Sequence, residues 1–233
     1  MNRRDLLIGW ALAGLELEAE AQEPPPKSLY IPKPQLVEDR RFLLDFMSEF
    51  PFVDLITASP DIRITHIPVF LNPAGAQYGT IYGHISRQNP QNKTFDGQQT
   101  AVIVFHGPHS YISPTWYAKP EAVPTWNFGV VHATGTPKPI TDPTALHDLL
   151  AKLIQKFEGK DSAYDFAKLP ESYIAGMIGG IVGFQMDIEL LEGKFKLGQD
   201  RSDADKKAML AGLQAAKPAR SMYEFAAEFY KRG

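Results

Sequence analysis

The order of strand-like and helix-like segments constrains the fold of this chain more than any other sequence feature. Runs rich in β-branched and aromatic residues fill the middle of the chain. The predicted strands are residues 53–57, 63–71, 80–85, 101–105, 128–136 and 181–190. Since strands and helices do not alternate regularly, a doubly wound parallel sheet is disfavoured. The order predicts an α+β fold, a closed antiparallel β-barrel with attached helices.

The helices are predicted mainly around this barrel. Apolar residues recur at helical spacing, and Pro51 ends the first pattern. The predicted helices are residues 35–50, 145–157, 171–177, 203–216 and 223–230. Nineteen prolines and eighteen glycines mark many turns, which favours strands and loops over a helix bundle.

The first residues are typical of an export signal. The pair Arg3-Arg4 precedes a short apolar run, and Ala19-Glu20-Ala21 is a small-x-small cleavage pattern. This arrangement predicts a twin-arginine signal over 1–21, a linker over 22–28 and a periplasmic protein. The alternative is an amphipathic helix that stays attached to a cytoplasmic protein.

Charge and composition exclude several classes of protein. Cleavage after residue 21 removes two arginines and four acidic residues, so the net charge moves from −3 to −1 and gives no general attraction to nucleic acid. The chain has no cysteine, which excludes disulfides, thiolate metal sites and cysteine nucleophiles. It also lacks an apolar run long enough to span a membrane.

Familiar catalytic motifs are missing as well. The sequence has no phosphate loop, no G-x-G-x-x-G turn and no G-x-S-x-G elbow. His106 and His109 are three residues apart, but no acidic or histidine partner stands nearby in the sequence. No metal site is therefore expected.

Three segments carry chemistry. GHISRQNP at 83–90 runs from a strand into a turn, where a hydroxyl and a guanidinium can hold phosphate oxygens. The segment 106–117 is rich in histidine and aromatics and is predicted to be a surface loop, with either a binding or a packing role. VPTWN at 123–127 offers an indole that can cover a flat ring or fill the core, and an amide.

Together with LYIP at 29–32, THIP at 65–68 and LEGKFKL at 191–197, these segments resemble the PaiB family of FMN-binding proteins, often labelled negative transcriptional regulators. The resemblance runs from about residue 29 to 213, and its most specific part is GPHSYISPTWY at 107–117 followed by VPTWN. It implies a split β-barrel domain over 29–200 with a C-terminal helical segment over 201–233. It also implies a homodimer that holds FMN at its interface.

The resemblance assigns cofactor-binding residues. Residues 63–69 would line the flavin ring largely through their backbone, and Trp126 and Asn127 would come from the other subunit. The full set of candidates is Arg63, Thr65, His66, His84, Ser86, Arg87, His109, Tyr111, Ser113, Trp126, Asn127 and Lys196. Of these, His84, Ser86 and Arg87 would hold the phosphate. Two positions depart from the family pattern: Phe195 replaces a tryptophan, and Gly198-Gln199-Asp200 replaces Ser-Gln-Asn before Arg201.

Three functions follow as hypotheses. The first is an FMN protein with redox activity, with Tyr111, His109 and His132 as candidate proton donors. The second is a regulator or sensor in which the flavin is structural. The third is a haem-binding split barrel that uses His84, His106, His109 or His132 as the iron ligand.

Overall fold

A computed structural model describes residues 25–117, 122–159 and 161–216. The predicted signal over 1–21 and the predicted helix over 223–230 lie outside these residues. The described residues form four α-helices: α1 (Arg40–Glu49), α2 (Pro143–Glu158), α3 (Glu171–Gly179) and α4 (Asp203–Ala215). Nine strands form the sheet: β1 (Leu36–Val37), β2 (Phe52–Thr57), β3 (Arg63–Pro68), β4 (Phe70–Asn72), β5 (Thr80–Ser86), β6 (Ala101–Ile112), β7 (Thr125–Gly135), β8 (Lys138–Ile140) and β9 (Ile181–Lys196).

The strand order explains how the sheet curls into a barrel. The main order is β3-β2-β6-β7-β9-β5-β4, and every pairing is antiparallel. β3 and β4 lie at opposite ends of that order, although only Val69 separates them in the chain. Because one continuous stretch supplies both edges, the sheet must bend round on itself. This confirms the predicted fold class, an antiparallel split barrel with peripheral helices.

Strand alternation places the core inside this curve. On β2, Val53 and Leu55 point inward, and Ile103 and Phe105 of β6 meet them. Each such side chain stabilises the fold by roughly 1.5–3 kcal/mol when it leaves water. Helix α1 adds Leu43, Leu44, Phe46 and Met47 to the same core.

Two glycines let α1 approach the sheet closely. A Cβ on Gly107 would lie 2.4 Å from the Phe46 ring, and one on Gly129 would lie 2.8 Å from Phe195. Phe46 and Phe195 meet edge to face with centroids 5.0 Å apart. The glycines therefore create the space in which this aromatic pair packs.

Three sequence predictions need correction. The first helix begins at Arg40, not at residue 35, because Asp39 caps it by accepting a hydrogen bond from the Phe42 N–H. The strand predicted over 63–71 is interrupted at Val69. The loop predicted over 106–117 is wrong for most of its length, since β6 continues to Ile112. Its pairing with β7 shifts register between His106 and His109, where a bulge accommodates Pro108.

Candidate functional site

Arg63 and Thr65 lie on β3 beside a fully buried amide. The Gln91 side chain donates from Nε2 to the carbonyls of Leu55 and Arg63 at 3.0 and 3.2 Å. Its Oε1 accepts a hydrogen bond from the Thr65 hydroxyl, which in turn accepts one from Asn89 at 2.8 Å. Gln91 therefore fixes the backbone of β3, the strand whose backbone the family resemblance places along the flavin ring.

The guanidinium of Arg63 is held only weakly by the protein. It has only a 3.5 Å contact with the exposed Asp61. Such a long and exposed ion pair contributes little energy, so Arg63 can bind an anion without losing a strong partner. Sequence reasoning missed Gln91, although it stands one residue beyond the GHISRQNP segment.

Arg87 is engaged by the protein itself. Its Nε donates to the Gly179 carbonyl and its Nη2 to the Ile181 carbonyl, each at 2.7 Å. Its backbone N–H donates to the Gly180 carbonyl at 2.9 Å. Arg87 thus joins the end of β5 to the end of α3, and only part of its guanidinium is left for a phosphate. The neighbouring Ser86 hydroxyl is exposed and accepts a hydrogen bond from the Gln88 N–H.

His66 belongs to a cluster on the outer face of the sheet. Cross-strand pairing brings Asp54 of β2 beside His66 of β3 and next to β6. One Asp54 oxygen contacts His66 Nδ1, and the other lies 2.9 Å from His106 Nε2. Partial burial works to raise the pKa of Asp54, but the two histidine hydrogen bonds outweigh it and the pKa falls below its ordinary value. Asp54 is distant from both histidines in sequence, so spacing alone did not reveal it.

His109, Tyr111 and Trp126 form an exposed aromatic cluster where β6 and β7 extend beyond the barrel. The Trp126 ring centroid lies 6.0 Å from that of His109 and 6.1 Å from that of Tyr111. Pairing of Tyr111 with Trp126 places both on the outer face. The structure thus brings Trp126 next to His109 and Tyr111, which the sequence placed in a different segment.

Two further candidates are placed elsewhere. His84 lies largely buried on the face of β5 that α2 covers, since its partner Gly183 contacts Leu146 and Leu149. Burial lowers the pKa of His84, and its Nδ1 has no hydrogen-bond partner among the described residues. Ser113 begins a short 3₁₀ helix by accepting a hydrogen bond from the Thr115 N–H, which is a structural role.

The remaining candidates, Asn127 and Lys196, line one polar cleft together with Tyr117 and Arg201. Lys196 is the last residue of β9, whereas Ser86 pairs with Ile181 at its first residue. In one subunit the candidates therefore divide between opposite ends of β9. Their chemistry nevertheless fits FMN: Arg63 and Ser86 are donors suited to a phosphate, and the exposed Trp126 is suited to a flat ring.

Solved structures define the class of protein. The chain is similar to the flavocytochrome Anf3 from Azotobacter vinelandii, with a TM-score of 0.56 and 15% identity over 75% of each chain. It is also similar to the FAD and heme binding protein from Mycobacterium smegmatis, with a TM-score of 0.52 and 15% identity over 75% of this chain and 80% of that one. The fold is therefore that of the split-barrel proteins.

Sequence comparisons define the family. The family model described as "Putative FMN-binding domain" matches residues 29–190. The protease synthase and sporulation protein PAI 2 of Bacillus subtilis is 32% identical over 188 residues, which cover 80% of this chain and 89% of that protein. The chain belongs to this PaiB-type family of FMN-binding split barrels, which confirms the resemblance and the expected flavin cofactor.

Proposed function

We propose that this protein is a homodimeric flavoprotein whose FMN site is shared between two copies. The outer face of the sheet is the observation that carries the proposal. Phe52, Ile64, Tyr111 and Trp126 all lie on this face and are 65%, 54%, 46% and 52% exposed. A large apolar surface rimmed by polar groups is typical of a protein interface.

The division of the candidate residues supports the same proposal. Ser86 pairs with the first residue of β9, and Lys196 is its last residue, while Arg63 lies on the edge strand β3. Among the described residues, no hydrogen bond or ring contact joins Arg63 or Ser86 to Trp126. A second copy packed on the outer face supplies the missing half of the site.

A mixed-dimer experiment tests the shared site. Arg63→Gln and Trp126→Ala are each expected to weaken FMN binding, because one removes a phosphate donor and the other a ring contact. When the two variants are co-purified as a heterodimer, one of the two sites regains both wild-type groups. We expect about half of the FMN stoichiometry to return, as measured by absorbance near 450 nm. If the heterodimer binds no more FMN than either parent, the site is not shared.

The proposed activity is a flavin redox reaction. FMN, when bound, supplies hydride or electron transfer, and the protein supplies orientation and proton donors. His109 and Tyr111 are exposed beside Trp126 and can reach a ligand there. His132 is less suitable, because it is largely buried and its Nδ1 lies 2.9 Å from the Ser28 hydroxyl.

A reduced nicotinamide added without oxygen is expected to bleach the 450 nm band. A holoprotein that dithionite bleaches but no reduced nicotinamide does would contradict the redox proposal. Retarded migration of genomic DNA fragments by such a protein would instead favour the regulator hypothesis.

Haem binding is a second candidate function, favoured by His66, His106 and His109 on the same outer face. His109 is the best placed, because its ring contacts Trp126 while His66 and His106 are held by Asp54. Haemin added to the purified protein would then give a Soret band that His109→Ala abolishes. A band unchanged in that variant would exclude His109 as the ligand.

We also propose export by the twin-arginine route, on the evidence of Arg3-Arg4 and the apolar run that follows. Among the described residues, no helix is long and apolar enough to cross a membrane. Residues 1–28 fused to a reporter that folds before transport should carry it to the periplasm. The double variant Arg3→Lys and Arg4→Lys should retain it in the cytoplasm, and equal export of both fusions would contradict the proposal.

A further inference from the structure

A polar cleft of about 350 Å³ lies beside the last residue of β9. Its walls come from four separate parts of the chain, which include Pro32, Tyr117, Asn127 and the turn that joins β9 to α4. A cleft assembled from distant segments holds its shape through the fold as a whole, so its polar groups are fixed before any ligand arrives.

Arg201 is held in place above this cleft. Gly198 adopts a φ of +73°, a conformation that favours glycine, and its carbonyl accepts a 3.0 Å hydrogen bond from the Arg201 N–H. The resulting turn brings the guanidinium over the Tyr117 ring, with its carbon 4.6 Å from the ring centroid. Such stacking occupies the flat face of the guanidinium and leaves its N–H groups available in the plane.

Lys196 adds a second cation, and no carboxylate of the described residues forms an ion pair with it. Its ammonium donates to the Thr125 hydroxyl, a neutral group. Asp200 also lines the cleft, but in the described structure it forms no ion pair with Lys196 or Arg201. The cleft therefore carries a net positive charge of one.

Asn127 supplies a third, buried polar group. Its side chain is only 6% exposed, yet it lines the cleft, and among the described residues its Nδ2 donates a hydrogen bond to the Met209 sulfur at 3.2 Å. A thioether is a weak acceptor. A ligand oxygen in the cleft would be a stronger acceptor for this amide than the thioether is.

We propose that Lys196, Arg201 and Asn127 form a binding site for an oxyanion of the phosphate class, distinct from the Arg63 and Ser86 region. Two unpaired cations and a buried amide are the donor set that phosphate oxygens require. The oxyanion has two sources, the phosphate of FMN bound by a neighbouring copy or the phosphate of a separate small molecule.

Calorimetric titration of the FMN-free protein with inorganic orthophosphate tests the site, whether or not the proposed flavin function is correct. Wild type is expected to bind, and Arg201→Gln and Lys196→Gln are each expected to weaken binding by about tenfold or more, the effect of one charge-assisted hydrogen bond. Lys194→Gln is the matched control, because the Lys194 ammonium lies outside the cleft and donates to the Tyr30 carbonyl at 2.9 Å. Melting temperatures show that each variant folds.

Titration of the same variants with FMN and with riboflavin then shows which molecule supplies the oxyanion. If Arg201→Gln weakens FMN binding and leaves riboflavin binding unchanged, the oxyanion is the flavin phosphate, and the assignment of that phosphate to Arg63 is wrong. If it weakens orthophosphate binding and leaves both flavins unchanged, a separate ligand occupies the cleft. Orthophosphate affinity equal to wild type in folded Arg201→Gln and Lys196→Gln would overturn the proposal, as would a wild type that binds no orthophosphate.

Discussion

At the residue scale, the hydrogen bonds of the Gln91 side chain hold β3 in position. Its amide is fully buried and serves the Leu55 and Arg63 carbonyls and the Thr65 hydroxyl. Gln91→Leu keeps a similar volume but leaves these groups without their partner, and an unsatisfied buried group costs about 1–3 kcal/mol. We expect a loss of about 2–4 kcal/mol in the free energy of unfolding, measured by urea denaturation.

The same substitution at the exposed Gln88 provides the control for that measurement. Gln88 stands in the same turn and uses only its backbone N–H, so Gln88→Leu should change stability by no more than about 0.5 kcal/mol. Equal losses in the two variants would show that the buried amide has no special role.

The burial of two single histidines also makes the free energy of unfolding depend on pH. Burial lowers the pKa of His84 below 6.5, and burial does the same for His132 despite the opposing charge of Glu192. The unfolded chain therefore binds these protons more readily than the folded protein does. Their stabilising contribution is complete well above pH 6.5 and declines as the pH falls through that value.

Differential scanning fluorimetry between pH 8 and pH 5 measures this dependence. His84→Leu removes one of the two buried imidazoles without breaking a hydrogen bond to its Nδ1, so the decline in melting temperature should be smaller than in wild type. The exposed His147 is the control, and His147→Gln should follow the wild-type curve. A wild-type curve that is flat or rises toward acid pH would contradict the assignment.

At the element scale, Arg87 acts as a clamp between β5 and α3. Its N–H groups reach the carbonyls of Gly179, Gly180 and Ile181, which lie at the end of the helix and the start of β9. Cations near a helix C-terminus also interact favourably with the helix dipole. The sequence assigned Arg87 to the flavin phosphate. In the structure, two of its guanidinium N–H groups instead donate to backbone carbonyls of the protein.

Arg87→Gln and Arg63→Gln should therefore differ. Arg87→Gln is expected to lower the unfolding free energy by about 1 kcal/mol and to speed hydrogen exchange in α3, with a small effect on FMN affinity. Arg63→Gln should leave stability nearly unchanged and weaken FMN binding by about tenfold or more. Measurement of FMN affinity and of hydrogen exchange on both variants shows which arginine binds the phosphate and which stabilises the fold. A larger loss of FMN affinity in Arg87→Gln than in Arg63→Gln would assign the phosphate to Arg87.

The sequence predicted the presence of strands and helices better than the residues at which they begin and end. The strands predicted over 53–57 and 101–105 are present as β2 and the first part of β6. The continuation of β6 to Ile112 was missed because it depends on pairing with β7, and Gly107-Pro108 suggested a break. For the candidate site, the composition of single segments indicated His109, Tyr111 and Trp126. The contacts of Asp54 and Gln91 could not be predicted in this way, because they form only when strands that are distant in sequence pair.

At the scale of the whole molecule, closure of the barrel leaves one sheet face uncovered. The helices α1 and α2 pack on the barrel core and on the β5–β9 face, respectively. The outer face of β2 and β3 carries the exposed Phe52 and Ile64, and within the described part of the chain neither strand has an extensive contact with a helix, whereas β6 contacts α4. A second copy that covers this face would bury these side chains and bring the two halves of the flavin site together.

A single charge on that face is the sharpest test of the dimer. Ile64→Glu places a carboxylate at the centre of the proposed interface, where an unpaired buried charge is strongly unfavourable. Light scattering after size-exclusion chromatography should show a dimer for wild type and a monomer for Ile64→Glu, which should also lose most of its FMN. Tyr173→Glu on α3 is the matched control, since Tyr173 is 58% exposed on a different element, and it should remain dimeric with full FMN. A folded Ile64→Glu protein that is still dimeric and still yellow would show that another surface joins the two copies.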